Sequence, residues 1–266
     1  AFPKGYNSFY IMKYEVTAQQ YVDFLYSIDT VQTSLRFANS FGTDRNSIQK
    51  VGNKFNTNAP DRTNNFMSWA DGAAYTDWCG LRPMTELEME KAARGPLNSV
   101  ANEYAWGNTI IVQMTSFNGT DGSGTETGLP LNANCNYNLI DGGAGQPIGG
   151  PSRAGIFATA TSDRVSSGAS YYGVMDMTGN CWERPVSLGN ATGRLFNGIN
   201  GDGLLDAAGN ANVLNWPPVS SMGTGFRMGN WFRGNERARI SDRFFATTPL
   251  DNRTGHRSFR AVRSSN

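Results

Sequence analysis

The stretch GVMDMTGNCWER, residues 173–184, packs an Asp, two glycines, an Asn, a Trp and a Glu into a short run. Three readings of its carboxylates compete. Asp176 and Glu183 can serve as a general acid/base pair. Alternatively, Asp176 caps a turn while Glu183 pairs with an arginine elsewhere. The third reading, an ion site, rests on a resemblance given below.

Outward from this stretch, composition narrows the classes. The chain has 266 residues, enough to bury a full core. Its formal net charge of +1 offers no field to attract nucleic acid or a membrane surface. With 17% charged residues against 31 glycines and 12% aromatics, the profile is that of a loop-rich fold with many tight turns rather than a helical bundle. No apolar run approaches the roughly 18 residues of a membrane span, and mean hydropathy is −0.44. The opening AFPKGYNSFY has neither the basic start nor the apolar centre of a signal peptide. The expectation is that a leader was removed or that the chain is an excised domain, working extracellularly or in the periplasm.

Cys79, Cys135 and Cys181 form an odd set at wide spacing. Two can pair and one is left over, and spacing does not choose between them. With no CxxC and one histidine, His256, a Cys/His zinc site is disfavoured. His256 lies in an arginine-rich tail, where a lone histidine reads as a surface or hydrogen-bonding residue rather than a catalytic base.

Along the chain, FYIMKYEV (residues 9–16) reads as a strand. Thr17 and Gln20 form a capping box, and Tyr21, Phe24, Leu25 and Ile28 share the face of a following helix. Residues 31–67 are polar and without clear period, so no element is expected there. Ser68 with Asp71 opens a second helix, with Ala74, Tyr75 and Trp78 inward. Gly80 ends it, and Thr85 with Glu88 opens a third that stops at RGP. From residue 97 onward Gly, Asn, Ser and Thr dominate, and no further apolar helical stripe appears. Bound ions and side-chain hydrogen bonds are expected to fix that half. Without an internal repeat or linker, residues 1–266 read as a single domain.

Several segments in order carry a family resemblance: YEVTAQQYVDFL, MSWADGAAYTDWCGLRPMTELEMEKAARG, EYAWGN, YYGVMDMTGNCWER and the terminal SFRAVR. Together they resemble the formylglycine-generating-enzyme, or sulfatase-modifying-factor, family across nearly the whole chain. The resemblance implies an α+β fold of elaborated C-type-lectin-like type, loop-rich, with a small twisted antiparallel sheet and two or three helices in the N-terminal half.

The family's oxidases hold copper with two cysteines a few residues apart, in the segment before the closing Phe-Arg. Soft thiolates suit Cu(I). Here the corresponding residues 227–260 contain no cysteine, and Cys181 stands where relatives usually carry a small apolar residue. The histidine-based iron site of the related sulfoxide synthases is equally missing. No copper is expected, and the chain reads as a non-catalytic member.

The resemblance also implies calcium. Carried over by position, Asp176 and Glu183 would give side-chain oxygens, and Gly179 and Cys181 backbone carbonyls. A second site would use Asn134 and the Cys135 carbonyl, with Asp141 the only carboxylate nearby and its spacing short.

The tail interleaves nine arginines with Trp231, Phe232, Phe244 and Phe245. Such mixtures can bind nucleic acid, but near-neutral net charge and the interspersed Glu236, Asp242 and Asp251 favour internal ion pairs and stacked guanidinium planes. In C-type-lectin-like folds this region faces ligand. Trp231, Phe232, Arg237, Arg239, Phe244 and Phe245 are therefore the expected contacts to a partner, a composition enriched in interface centres. The partner is another protein chain, or this chain itself, with a glycan or small ligand also compatible.

The favoured function is a non-catalytic binding or structural protein that self-assembles at the cell surface. The alternatives are an oxidase with altered metal chemistry, and a variable ligand-binding receptor of a diversity-generating retroelement. Asn118, Asn190 and Asn252 fall in N-x-[ST] patterns, which matter only in a glycosylating route.

Overall fold

Residues 1–138 and 148–265 are described by a computed structural model. Strand β1 (Phe9–Ile11) leads into helices α1 (Ala18–Ser27) and α2 (Thr30–Arg36), the hairpin β2 (Ile48–Val51) and β3 (Lys54–Thr57), and helix α3 (Trp69–Trp78). Strand β4 (Arg82–Pro83), helix α4 (Glu86–Arg94), the hairpin β5 (Ser116–Asn118) and β6 (Thr127–Leu129), and strand β7 (Ala261–Ser264) follow. Beyond Arg94 the described residues contain no α-helix, only short 3₁₀ turns.

All four α-helices among the described residues begin with a reciprocal capping box. Thr17–Gln20, Ser68–Asp71 and Thr85–Glu88 act as expected, and Asp29–Gln32 adds a fourth. Each satisfies backbone donors that would otherwise cost roughly 1 kcal/mol. The faces also match: Tyr21, Phe24 and Leu25 of α1 pack on Ala74 and Tyr75 of α3, with Phe24 edge-on to Tyr75 at 5.9 Å.

Two expectations need correcting. Residues 31–67 were expected to lack an element, yet they hold most of α2 and the β2–β3 hairpin. The Asp29 carboxylate accepts from the backbone of Val31 and Gln32 and starts a helix too short for an apolar period to show. The strand expected over residues 9–16 ends at Ile11. A bend at residues 13–14 interrupts it, although Met12 and Val16 still donate to Ala261 and Phe259 of the last strand's approach. The bend turns both Glu15 and Val16 into the core.

Strand β7 is the centre of an antiparallel sheet ordered β1–β7–β4, with Phe9 opposite Ser264 and Arg82 opposite Val262. This arrangement carries the SFR segment into the interior. Phe259 sits against Trp69 at 5.5 Å, and Gly72 of α3 is what makes room, because a Cβ there would lie 1.9 Å from the Phe259 ring. Arg260, fully buried, follows Phe259 directly.

The loop-rich half is tied down by buried polar contacts. Arg227 bridges Glu86 at 2.9 Å and Glu90 at 3.0 Å and donates to the Ile240 carbonyl. Asn180 accepts from Asn136 and from the Ser152 backbone.

Candidate functional site

Asp176, Gly179 and Asn180 all adopt positive φ, at 58°, 78° and 54°. Asp and Asn tolerate this left-handed region better than other non-glycine residues, and the result is a tight buried turn. Gly179 is required on two counts, since a Cβ would stand 2.5 Å from Cys135 Sγ and 2.6 Å from the Asn136 carbonyl. The two stretches singled out in the sequence therefore touch: the Cys135 thiol donates to the Thr178 carbonyl at 3.2 Å.

Beyond the turn, Glu183 is clamped by Arg260, whose Nε and Nη2 lie 2.8 and 2.7 Å from Oε1. The same guanidinium donates to the carbonyls of Met12, Lys13 and Met175. Asp176 Oδ2 accepts from the Gly155 backbone at 2.6 Å.

A third carboxylate, missed in the sequence, completes the group. Glu15 is fully buried; its Oε2 accepts from Asn180 at 2.5 Å and Thr63 at 3.0 Å, and its Oε1 from the Cys181 backbone at 3.2 Å. The one available signal was a lone carboxylate inside the apolar run FYIMKYEV.

Three buried carboxylates thus surround one guanidinium. Burial, then repulsion from Glu183 and Asp176, drives the Glu15 carboxyl well above the usual carboxylate range. Burial lifts Asp176 to about 6, against the Gly155 hydrogen bond and Arg260. Burial also raises Glu183, with Arg260 opposing. Arg260 stays charged: burial disfavours the cation, but Glu183, Glu15 and Asp176 outweigh it. The cluster is short of positive charge.

Among the residues carried over for a first calcium, several oxygens are left without a hydrogen bond. Glu183 Oε2 is buried without a hydrogen-bond partner, and the carbonyls of Gly179 and Cys181 accept no hydrogen bond among the described residues. Among those residues no three His, Cys, Asp or Glu side chains converge as a metal cluster, so an ion here would need backbone oxygens as well. The second set fits less well. Asn134 Oδ1 already accepts from Val112 and the Cys135 carbonyl from Met114, while Asp141 lies outside the described residues.

All three cysteines lie outside residues 227–260. Cys79, Cys135 and Cys181 are free and lie in separate motifs. Burial pushes the thiols of Cys135 and Cys181 well up, and that of Cys79 up as well, so none is an activated nucleophile.

The tail aromatics divide. Trp231 is corrected from a partner contact to a core residue: it is 4% exposed, and its indole donates to the Gly255 carbonyl. Phe232 is half-buried and stacks in parallel on His256 at 5.5 Å. Phe244 is 64% exposed and edge-on to half-buried Phe245. Arg237 lies 3.8 Å over the Phe244 ring and pairs with Asp242, and Arg239 is half-buried nearby in sequence.

Residues 4–264 match the model of the sulfatase-modifying factor enzyme 1-like domain. The chain belongs to that family. It is 43% identical over 54 residues to the formylglycine-generating enzyme of Thermomonospora curvata, covering 20% of this chain and 17% of that protein. It is 29% identical over 170 residues to the inactive C-alpha-formylglycine-generating enzyme 2 of Mus musculus, covering 60% of this chain and 46% of that one. The chain thus matches less than half the length of these curated relatives. Among solved structures it resembles PvdO from Pseudomonas aeruginosa, with 18% identity, a TM-score of 0.50, and 97% and 80% of the two chains covered. That likeness shows the fold: this family member has the formylglycine-generating-enzyme-like α+β architecture expected from its motifs. Fold and family do not by themselves assign an activity.

Proposed function

We propose that this family member is a non-catalytic binding or structural domain, extracellular or periplasmic, built on a calcium-stabilised scaffold. The observation that carries this reading is the fate of the thiols. The segment where the oxidases place their copper ligands contains no cysteine, and the three cysteines elsewhere are free, buried or half-buried, and protonated. The similarity to an inactive formylglycine-generating enzyme 2 is in keeping with it. Calcium would be held by Asp176, Glu183 and the carbonyls of Gly179 and Cys181, where it would supply the missing positive charge.

The face around Phe244, Phe245, Arg237 and Arg239 is the contact to another protein chain, in the first instance a second copy. A large exposed ring with a guanidinium on its face presents apolar area and charge together, as interface anchors do. A head-to-tail contact of this kind would grow into filaments or sheets. Among the described residues no helix is long and apolar enough to cross a membrane.

The deciding experiment offers the protein a sulfatase-motif peptide with copper and oxygen and follows the peptide mass. No formylglycine is expected. Conversion of the peptide would overturn the non-catalytic reading.

A further inference from the structure

Seven arginines are buried among the described residues, and five of them have a carboxylate. Arg36 pairs with Asp71, Arg62 with Asp121 and Glu126, Arg82 with Glu88, Arg227 with Glu86, and Arg260 with Glu183. Arg184 and Arg257 are the exceptions. They are 2% and 4% exposed, and among the described residues neither forms an ion pair.

They are also neighbours. Their guanidinium carbons lie 4.6 and 4.5 Å from the centre of the same ring, Phe226, so the two charges are at most about 9 Å apart. Each uses one nitrogen on the exposed loop of residues 248–252: Arg184 donates to the Leu250 carbonyl, and Arg257 to the Asn252 carbonyl and side chain at 2.6 Å. Nε and Nη1 of Arg184 and Nε of Arg257 are buried and have no partner. Burial and the Arg257 charge push Arg184 down to about 9, and burial takes Arg257 to about 10; both remain cations at neutral pH. Two buried cations on one ring without an ion-pair partner are costly, because a buried charge that loses its partner is strongly destabilising.

We propose that Arg184 and Arg257 form a binding site for one small oxyanion, a carboxylate or a sulfate- or phosphate-type group, against the loop of residues 248–252. Guanidinium groups match such oxyanions in both charge and donor geometry. The Phe226 ring fixes both guanidiniums before the anion arrives, and the unpartnered nitrogens are the donors it takes. Two carboxylates act on them from further off: buried Asp71, already paired with Arg36 and Arg253, reaches Arg184, and exposed Asp251 reaches both, but neither forms an ion pair with either arginine.

The test is the unfolding midpoint of the whole chain, titrated with sodium sulfate, phosphate or acetate against sodium chloride at equal ionic strength. Sulfate, phosphate or acetate should raise the midpoint by about 3 °C at saturation, and chloride should not. Because sulfate and phosphate also stabilise folded proteins by exclusion, only the part of the response that the variant loses counts: such a response to acetate alone assigns a carboxylate ligand, and one to sulfate or phosphate a tetrahedral oxyanion. Arg184→Met should match or exceed the wild type without added anion, because it relieves the repulsion, and should lose the response. A merely structural arginine would instead lower the midpoint equally with and without anion. Should Arg184→Met fail to fold, Arg257→Gln carries the same comparison. Equal responses to chloride and oxyanions, or a full response retained in the folded variant, would overturn the proposal.

Discussion

Arg260 Nη2 lies 2.7 Å from Glu183 Oε1, with both side chains out of solvent. The pair joins the final strand to the buried turn, and the guanidinium also satisfies three carbonyls on two other segments. Removing the cation leaves Glu183, Asp176 and Glu15 facing one another. Arg260→Met should therefore destabilise the domain by about 3–5 kcal/mol in chemical denaturation. Arg260→Lys should recover less than half of that, because one ammonium cannot reach all four acceptors. A midpoint within experimental error of the wild type for either variant would show that the cluster is held by something else.

Calcium has a separate readout. An ion that binds only the native state stabilises it by mass action, by about 2.7 kcal/mol at a hundredfold excess over Kd. Excess chelator should lower the melting temperature, and Glu183→Gln should remove the difference between chelated and calcium-loaded protein. Identical melting curves with and without calcium, in protein stripped and checked for residual metal, would dismiss the ion.

The assembly face can be tested without touching the core. Phe244 is exposed, so Phe244→Ala combined with Arg237→Glu should leave stability within about 1 kcal/mol and still shift the sedimentation profile of concentrated protein toward monomer. A monomeric wild type at high concentration would remove the case for self-contact.

How much of this was legible before folding depended on range. Thr17, Ser68 and Thr85 announce their helices through partners three residues away, so the sequence alone places those starts. Asp29 sends the same local signal, but α2 is too short for an apolar period to support it. Asp176 and Glu183 stand out because they share one motif. Glu15 and Arg260 do not: they meet that motif only after β1 and β7 pair, an event that sequence spacing does not record. Trp231 was misplaced for a related reason. A tryptophan among arginines has an interface composition whether it points outward or, as here, donates to a buried carbonyl.

Gly72 sits mid-helix, where glycine costs about 1 kcal/mol relative to alanine, so propensity alone favours replacement. Packing reverses the sign. A Cβ at Gly72 would fall 1.9 Å from a ring atom of Phe259, which is fully buried against Trp69. Gly72→Ala should destabilise by about 1–3 kcal/mol net, measured by denaturant unfolding. A more stable variant would mean the α3–Phe259 contact has slack that its geometry does not suggest.

The final prediction concerns acid. His256 is held neutral: burial, then the charges of Arg257 and Arg233, take its pKa down to about 4 from a usual 6.5. The unfolded chain therefore binds a proton near pH 6.5 that the folded chain refuses until about pH 4. Stability from this group is fully present above pH 6.5 and is lost as pH falls toward 4. The loss is about 2 kcal/mol at most, discounted for the partial exposure of the ring. Buried Asp176, raised to about 6, has the opposite sign. Its contribution favours the folded state at low pH and is lost as pH rises through 6, so the wild-type profile alone mixes the two. The difference between wild type and His256→Gln isolates the histidine, because the carboxylates are common to both. Unfolding free energies measured between about pH 7 and pH 4.5 should converge on acidification, as the wild type loses an advantage the variant lacks. The Phe232 stack explains why the variant should start lower at neutral pH. Two parallel profiles across that window would mean His256 is not held neutral by its burial and its arginine neighbours.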